Sequence, residues 1–267
     1  EIAQCLVGSE MCIRDRFIII QFRKEEKMGN NINDGYADSN RFSDKALLIY
    51  NDFLQSGKFL THYKWLKNAA ETYDIKLELM GNSEFLCSYG TSFDKELIET
   101  LGKYRFILFW DKDIRLGKKF TNICKKINIP IYNNIRAIAD CDDKSATYEK
   151  IGQWNDCHDT LEQIKMIPTI VAPMTYENIG YTDMNFLDKV AEKFGFPLVI
   201  KECFGSFGMQ VYMAHDMDEL KKRVSDIGGK PMIFQKFIEK SSGFDVRLQV
   251  VGDEVVAAML SLIHISE

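Results

Sequence analysis

The sequence predicts an α/β protein in two parts: a first half built on a parallel sheet, and a second half built around a lysine-tipped strand and a glycine loop. Three observations carry this. Short apolar runs alternate with helical stripes between Ala46 and Tyr132. Phe196 to Ile200 is an apolar, partly β-branched run that ends on Lys201, and Gly205-Ser206-Phe207-Gly208 comes next before Val211 and Tyr212 resume the strand pattern. The composition is that of an ordinary globular chain, 46% hydrophobic and 27% charged over 267 residues, enough for one large or two modest domains.

Residues 1–43 are expected to be a foreign or disordered leader. Gly29 to Asn40 is rich in Asn, Asp, Gly and Ser and carries no periodic apolar pattern. Cys5 to Arg16 (CLVGSEMCIRDR) resembles translated sequencing-adapter DNA, and so does Leu260 to Glu267 (LSLIHISE). Both ends are therefore expected to be foreign, with Met28 as a plausible start and a native chain that runs on past Met259.

Residues 44–140 form the first domain. Ala46 to Tyr50 is a strand that ends at Asn51-Asp52, and His62 to Thr72 carries apolar residues at helical spacing. Lys76 to Met80 alternates polar and apolar and suits a strand. Phe106 to Trp110 is a strongly apolar strand, with Asp111 placed to cap the helix after it. Ile114 to Ile127 carries a helical stripe, and Ile129 to Tyr132 is a further short strand. Strand, helix, strand, repeated, gives βαβ units and a parallel sheet of Rossmann-like topology. No G-x-G-x-x-G comes after the first strand, which argues against a nicotinamide-binding domain.

Residues 141–259 form the second domain. Asp142-Asp143-Lys144-Ser145 opens a helix, with an Asp to satisfy its free N–H groups. Trp154 to Thr160 reads as a polar loop, and Pro168 to Pro173 as a short strand fenced by prolines. Asp183 begins a helix that Gly195 and Pro197 stop. Asp216-Met217-Asp218-Glu219 resembles a capping box, and Gly228-Gly229 ends the helix it opens. Met232 to Ile238 is a buried strand running out to charge. Gly243 to Met259 is a hairpin that places Asp245 and Arg247 on one face.

Composition removes several function classes. A net charge of −5 argues against a general nucleic-acid binder. No apolar run approaches the roughly 20 residues of a membrane-spanning helix. The seven cysteines show no C-x-x-C pair, which favours reduced thiols in a cytoplasm over disulfides or a zinc site. Cys203 has no paired histidine in view and makes a poor nucleophile candidate.

The chemistry concentrates at Lys201 and the glycines after it. Burying a lysine at a strand end is costly unless an anion is near. Gly205 and Gly208 let backbone N–H groups approach phosphate oxygens. Lys144 extends from a fixed helix start. At the exit of the later strand, backbone groups of Gln235 to Ile238 can pair with an adenine edge while Phe237 and Ile238 cover its face. Asp245 and Arg247 can hold ribose and phosphate.

The order of these parts resembles the ATP-grasp superfamily, and within it RimK-type carboxylate–amine ligases, many of which add α-L-glutamate. The likeness covers roughly Asp140 to Met259, and the first half is similar to the Rossmann-like domain that precedes ATP-grasp there. The resemblance implies an α/β chain, with a Rossmann-like pre-ATP-grasp domain followed by an incomplete ATP-grasp α+β domain. It implies ATP as substrate, with Lys144 and Lys201 on the phosphates and Gly205, Ser206 and Gly208 as the lid. Gln235, Lys236, Phe237 and Ile238 would line the adenine, Asp245 would touch the ribose, and Arg247 would lie toward the phosphates or acyl group as the catalytic candidate. Lys236 departs from the acidic residue more usual at its place. The family's Mg2+ ligands, an Asp, a Glu and an Asn, lie on later strands, so Mg2+ is expected with ligands past Met259 and the chain as it stands is expected to be inactive. Partners would be ATP, a carboxylate acceptor and an amino-acid donor in the cytoplasm, with neither nucleic acid nor membrane, and a homo-oligomer is compatible with this. A protein kinase is excluded by order, since its glycine loop precedes the lysine and H-R-D and D-F-G are missing. A D-alanine ligase-like enzyme and a nucleotide-binding regulatory protein of the same fold are the alternatives.

Overall fold

The computed structural model describes residues 43–54, 56–89, 91–205, 208–241, 244–251 and 254–262. It divides into two compact units, with the boundary between Ala139 and Asp140.

The first unit holds a four-stranded parallel sheet of β1 (Lys45–Tyr50), β2 (Lys76–Gly81), β3 (Ile107–Phe109) and β4 (Ile131–Tyr132), in the order β2-β1-β3-β4. Its helices are α1 (Gly57–Glu71), α2 (Thr91–Leu101) and α3 (Ile114–Lys126), and α4 (Ile135–Asp142) runs across the boundary. The strands are apolar on both sides because both faces are covered, as crossover connections require. Leu47, Ile49 and Phe109 pack with Leu101, Leu116 and Phe120 of α2 and α3. Ala46, Leu48 and Leu77 face the other way, against Phe59 and Tyr63 of α1.

The cap of α3 is Asp113, whose carboxylate accepts from Leu116 N at 3.0 Å, and not Asp111 as the sequence suggested. Asp111 is buried instead and ties three strand ends together. It accepts from Asn51 Nδ2 after β1 (3.2 Å), from Asn82 Nδ2 after β2 (3.1 Å) and from Lys112 N (2.7 Å).

The second unit contains an antiparallel sheet of β5 (Thr169–Val171), β6 (Leu198–Glu202), β7 (Val211–Ala214) and β8 (Met232–Lys236), in the order β5-β8-β6-β7. Its helices are α5 (Lys144–Asp156), α6 (Phe186–Phe194) and α7 (Met217–Ile227). The expected loop at Trp154 therefore begins later, because Trp154, Asn155 and Asp156 still belong to α5. Asp216 accepts from Glu219 N at 2.9 Å, while Glu219 reaches back to His215 N at 2.8 Å, a reciprocal cap shifted by one residue from the usual box. A separate two-stranded sheet pairs β9 (Phe244–Val251) with β10 (Glu254–Leu262).

Strand alternation divides the four-stranded sheet into two unlike faces. Leu198, Ile200 and Phe234 pack against Leu187 of α6 and Leu220 and Val224 of α7. Phe234 is fully buried in this layer. Phe234→Ala is expected to lower the unfolding free energy by about 3–5 kcal/mol, measured by urea denaturation. Val199, Lys201, Ile233 and Gln235 point the opposite way, since Val199 is opposite Gln235 and Lys201 is opposite Ile233. That second face carries the candidate site.

Candidate functional site

Lys201 is the next-to-last residue of β6 and is 4% exposed. Among the described residues no acceptor reaches its ammonium. Burial, and then the nearby positive charge of Lys144, pull its pKa down to about 8. Glu202, next in sequence, does not neutralise it. Strand alternation turns that carboxylate to the helix-covered face, where it accepts from Tyr212 Oη at 3.1 Å and Lys230 Nζ at 3.2 Å.

Lys144 is the first residue of α5. Asp143 caps this helix, accepting from Ser145 N at 2.8 Å. The Lys144 side chain is buried, and its ammonium donates to Glu202 O at 2.6 Å and Cys203 O at 3.2 Å. Its backbone N–H also donates to Cys203 O, at 3.0 Å. Burial lowers its pKa to about 8, against the raising influence of Cys203 and Glu202. Both lysines are thus held in a dry setting that disfavours their charged forms. An anion between them would relieve both.

Gly205 and Gly208 come after the end of β6. Both adopt positive φ, +138° and +72°, a backbone that side chains rarely take. At Gly205 a Cβ would also collide with the Gln210 side chain. Ser206, between them, lies outside the described residues. Cys203, just before the loop, is fully buried beside Tyr148 and Ile233, and burial pushes its thiol pKa up. That is the opposite of what a nucleophile needs.

Gln235 is buried on the same face as Lys201. Its Nε2 donates to Tyr148 Oη at 2.6 Å and to Thr169 Oγ1 at 2.9 Å. Tyr148 lies four residues after Lys144, so one stripe of α5 presents both to the sheet. Sequence reading missed Tyr148 and Thr169; the i, i+4 spacing from Lys144 was the available signal for the first. Lys236 is exposed, with its N–H committed to Pro168 O at 3.1 Å, and Phe237 and Ile238 continue half-buried beyond β8. Arg247 is half-buried on β9, opposite Met259. Asp245 is on the same strand, its side chain outside the described residues.

A family model described as the RimK-like ATP-grasp domain matches residues 153–263. Over that stretch the chain is similar to a RimK-like ATP-grasp domain. Its sequence is 29% identical over 215 residues to the uncharacterized protein MG012 homolog of Mycoplasma pneumoniae, covering 79% of this chain and 68% of that one. It is 28% identical over 156 residues to human N-acetylaspartylglutamate synthase A, covering 56% of this chain and 34% of that one. A RimK domain ATP-grasp protein from Sphaerobacter thermophilus shares the fold at a TM-score of 0.53 and 16% identity, over 76% of this chain and 67% of that one. The chain thus spans about a third of the human synthase that it matches.

Lys201, both loop glycines and the Gln235 to Ile238 strand exit fall inside the RimK-like match, and Lys144 falls before it. Among the described residues no group of three or more His, Cys, Asp or Glu could hold a metal ion. No described helix is long and apolar enough to cross a membrane.

The two lysines give the second unit a pH signature. Each loses its proton near pH 8 in the free protein, where an unfolded lysine holds it to about 10.5. The unfolded state then binds more protons between those values, so these groups make the fold more stable as pH rises from about 8 to 10.5. Anion binding runs the other way, because it needs the charged form. Affinity for ADP is expected to hold below pH 7 and to fall about tenfold or more by pH 9.5, read by titration calorimetry.

Proposed function

We propose that this chain binds adenosine di- and triphosphates on the Lys201 face of its antiparallel sheet, within an ATP-dependent carboxylate–amine ligase. The observation that carries this is the pair of buried ammonium groups, Lys144 and Lys201, beside a loop whose two glycines both take positive φ. A polyphosphate is the ligand that offsets the burial of two cations and uses backbone donors of a glycine loop.

Lys144 and Lys201 hold the phosphates. Gly205, Ser206 and Gly208 close over them, and Gln235 to Ile238 meet the base. Asp245 holds the ribose, and Arg247 lies toward the transferred phosphoryl or acyl group. In the reaction, a carboxylate oxygen of the acceptor attacks the γ-phosphorus, forming an acyl-phosphate and releasing ADP. An amine nitrogen then attacks the acyl carbon, the C–O bond to phosphate breaks, and the nitrogen loses a proton. The products are an amide, ADP and phosphate. Cationic side chains fixed in a dry site favour such transfers by stabilising charge as it moves.

Glutamate is the proposed amino-acid donor, with a peptide, protein or small acid as acceptor. The relatives named N-acetylaspartylglutamate synthase and beta-citrylglutamate synthase support this choice. Calorimetric titration of the chain with ADP tests the binding claim: one site is expected, and no heat or saturation would overturn it. ADP release that depends on both glutamate and an acid acceptor tests the ligase claim. Binding without turnover is the result expected of the chain as it stands.

A further inference from the structure

Glu202 reaches both faces of the four-stranded sheet. Its side chain is 11% exposed and lies with Tyr212 on the helix-covered face. There Tyr212 Oη of β7 donates to one carboxylate oxygen at 3.1 Å, and Lys230 Nζ, just before β8, donates to the other at 3.2 Å. The main chain serves the opposite face. Glu202 O accepts from Lys144 Nζ at 2.6 Å, and the next carbonyl, Cys203 O, accepts from both Lys144 N and Lys144 Nζ. Glu202 N and Cys203 N donate to Gln210 O and Pro231 O, which ties this short run to the segments on either side.

A carboxylate is a costly choice here, since an apolar side chain would pack under the helices without the penalty of a buried charge. Its charge is not cancelled where it stands. The Lys230 side chain is 53% exposed, so solvent screens that ammonium far more than it screens the nearly dry carboxylate. A negative field therefore reaches Lys144, and it opposes the effect of burial on that ammonium. The other titratable and charged groups around the cluster are Lys201 on β6, Cys203 after it, Asp143 and Tyr148 with α5, Tyr181 before α6, and Arg223 of α7 over the Tyr212 ring. Lys201 and Arg223 are cations, and the Asp143 carboxylate is taken up by Ser145 N and Oγ. Glu202 is the anion that β6 itself builds in beside Lys144.

We propose that Glu202 is a positioning residue for nucleotide binding: clamped by Tyr212 and Lys230, it fixes the two carbonyls that aim the Lys144 ammonium and supplies the negative charge that keeps Lys144 cationic. The inference rests on the proposed phosphate site and adds to it a residue whose side chain lies on the opposite face of the sheet.

The test follows Lys144 by NMR of the full chain, 13C-labelled at its lysine side chains, at low ionic strength. The signal is assigned by its loss in Lys144→Met. Glu202→Gln keeps the shape and an oxygen for Tyr212 or Lys230, but it carries no charge. It is expected to lower the Lys144 titration midpoint by about half to one pH unit, and to weaken ADP binding at pH 8 about two- to fivefold by calorimetry. Lys230→Met breaks the same ion pair yet leaves the carboxylate charged, so the midpoint is expected to rise by a smaller step. A merely structural role would move both variants the same way. Tyr212→Phe is expected to lower the melting temperature and to leave the midpoint in place. An unmoved midpoint in folded Glu202→Gln, or a downward step in both variants, would overturn the inference and leave the nucleotide site standing. Should Glu202→Gln fail to fold, Lys230→Met decides, since a midpoint that does not rise would overturn the inference. No binding of ADP by the unaltered chain would remove the nucleotide site and this inference with it, a failure distinct from an unmoved midpoint.

Discussion

Lys201→Met is expected to weaken ADP binding by about a hundredfold while raising the melting temperature of the free protein. The two effects share one cause. Lys201 is 4% exposed and its ammonium meets no acceptor among the described residues, so the free protein carries the penalty of a buried charge. The fall in its pKa from 10.5 to about 8 puts that penalty at roughly 3 kcal/mol at neutral pH. Methionine keeps most of the aliphatic stem and its packing, and it removes the charge. A gain of about 1–3 kcal/mol in unfolding free energy is expected, since apolar replacements of buried ions are often stabilising. The nucleotide loses a charge-assisted contact worth about 1.5–3 kcal/mol or more in a dry site. Thermal denaturation and calorimetry on one preparation read both. A variant that bound ADP normally would contradict the assignment of Lys201 to the phosphates.

Lys144→Met separates the two lysines. Binding is expected to fall by a similar factor, about a hundredfold, but without the gain in stability. The Lys144 ammonium already donates to Glu202 O and Cys203 O. Removing it relieves a buried charge and also strips a donor from two carbonyls at the end of β6. Hydrogen bonds to a charged donor contribute about 1.5–3 kcal/mol each, so the losses offset the relief. Lys144→Met is therefore expected to unfold about 2 kcal/mol more easily than Lys201→Met, by urea denaturation at pH 7. Equal stabilities would mean that the contacts of Lys144 contribute nothing to the fold.

Features with a local cause were legible in the sequence, and features with a distant cause were hidden. The strand carrying Lys201 was legible from the apolar run before it, although it starts at Leu198 and ends one residue later, on Glu202. The glycine loop was legible because the backbone that Gly205 and Gly208 adopt is one that side chains rarely take. The Asp143 cap was legible from its place before a helical run. Two helices were not. α4 buries only Ile135 and Ile138, too few for a periodic signal. α2 rests Leu97, Ile98 and Leu101 on the core within a helix of only 11 residues. Asp111 misled because its partners Asn51 and Asn82 are 60 and 29 residues away, and they draw it inward before it can cap anything. The Gln235 contact with Tyr148 spans 87 residues, so no short window of the sequence contains it.

Whether two buried cations grip one polyphosphate is answered without an intermediary by a crystal structure of the chain with ADP. β-Phosphate oxygens are expected within about 3 Å of both Lys144 Nζ and Lys201 Nζ, with the base toward Gln235. ADP bound elsewhere on the chain, or phosphates beyond reach of either ammonium, would contradict the proposed site.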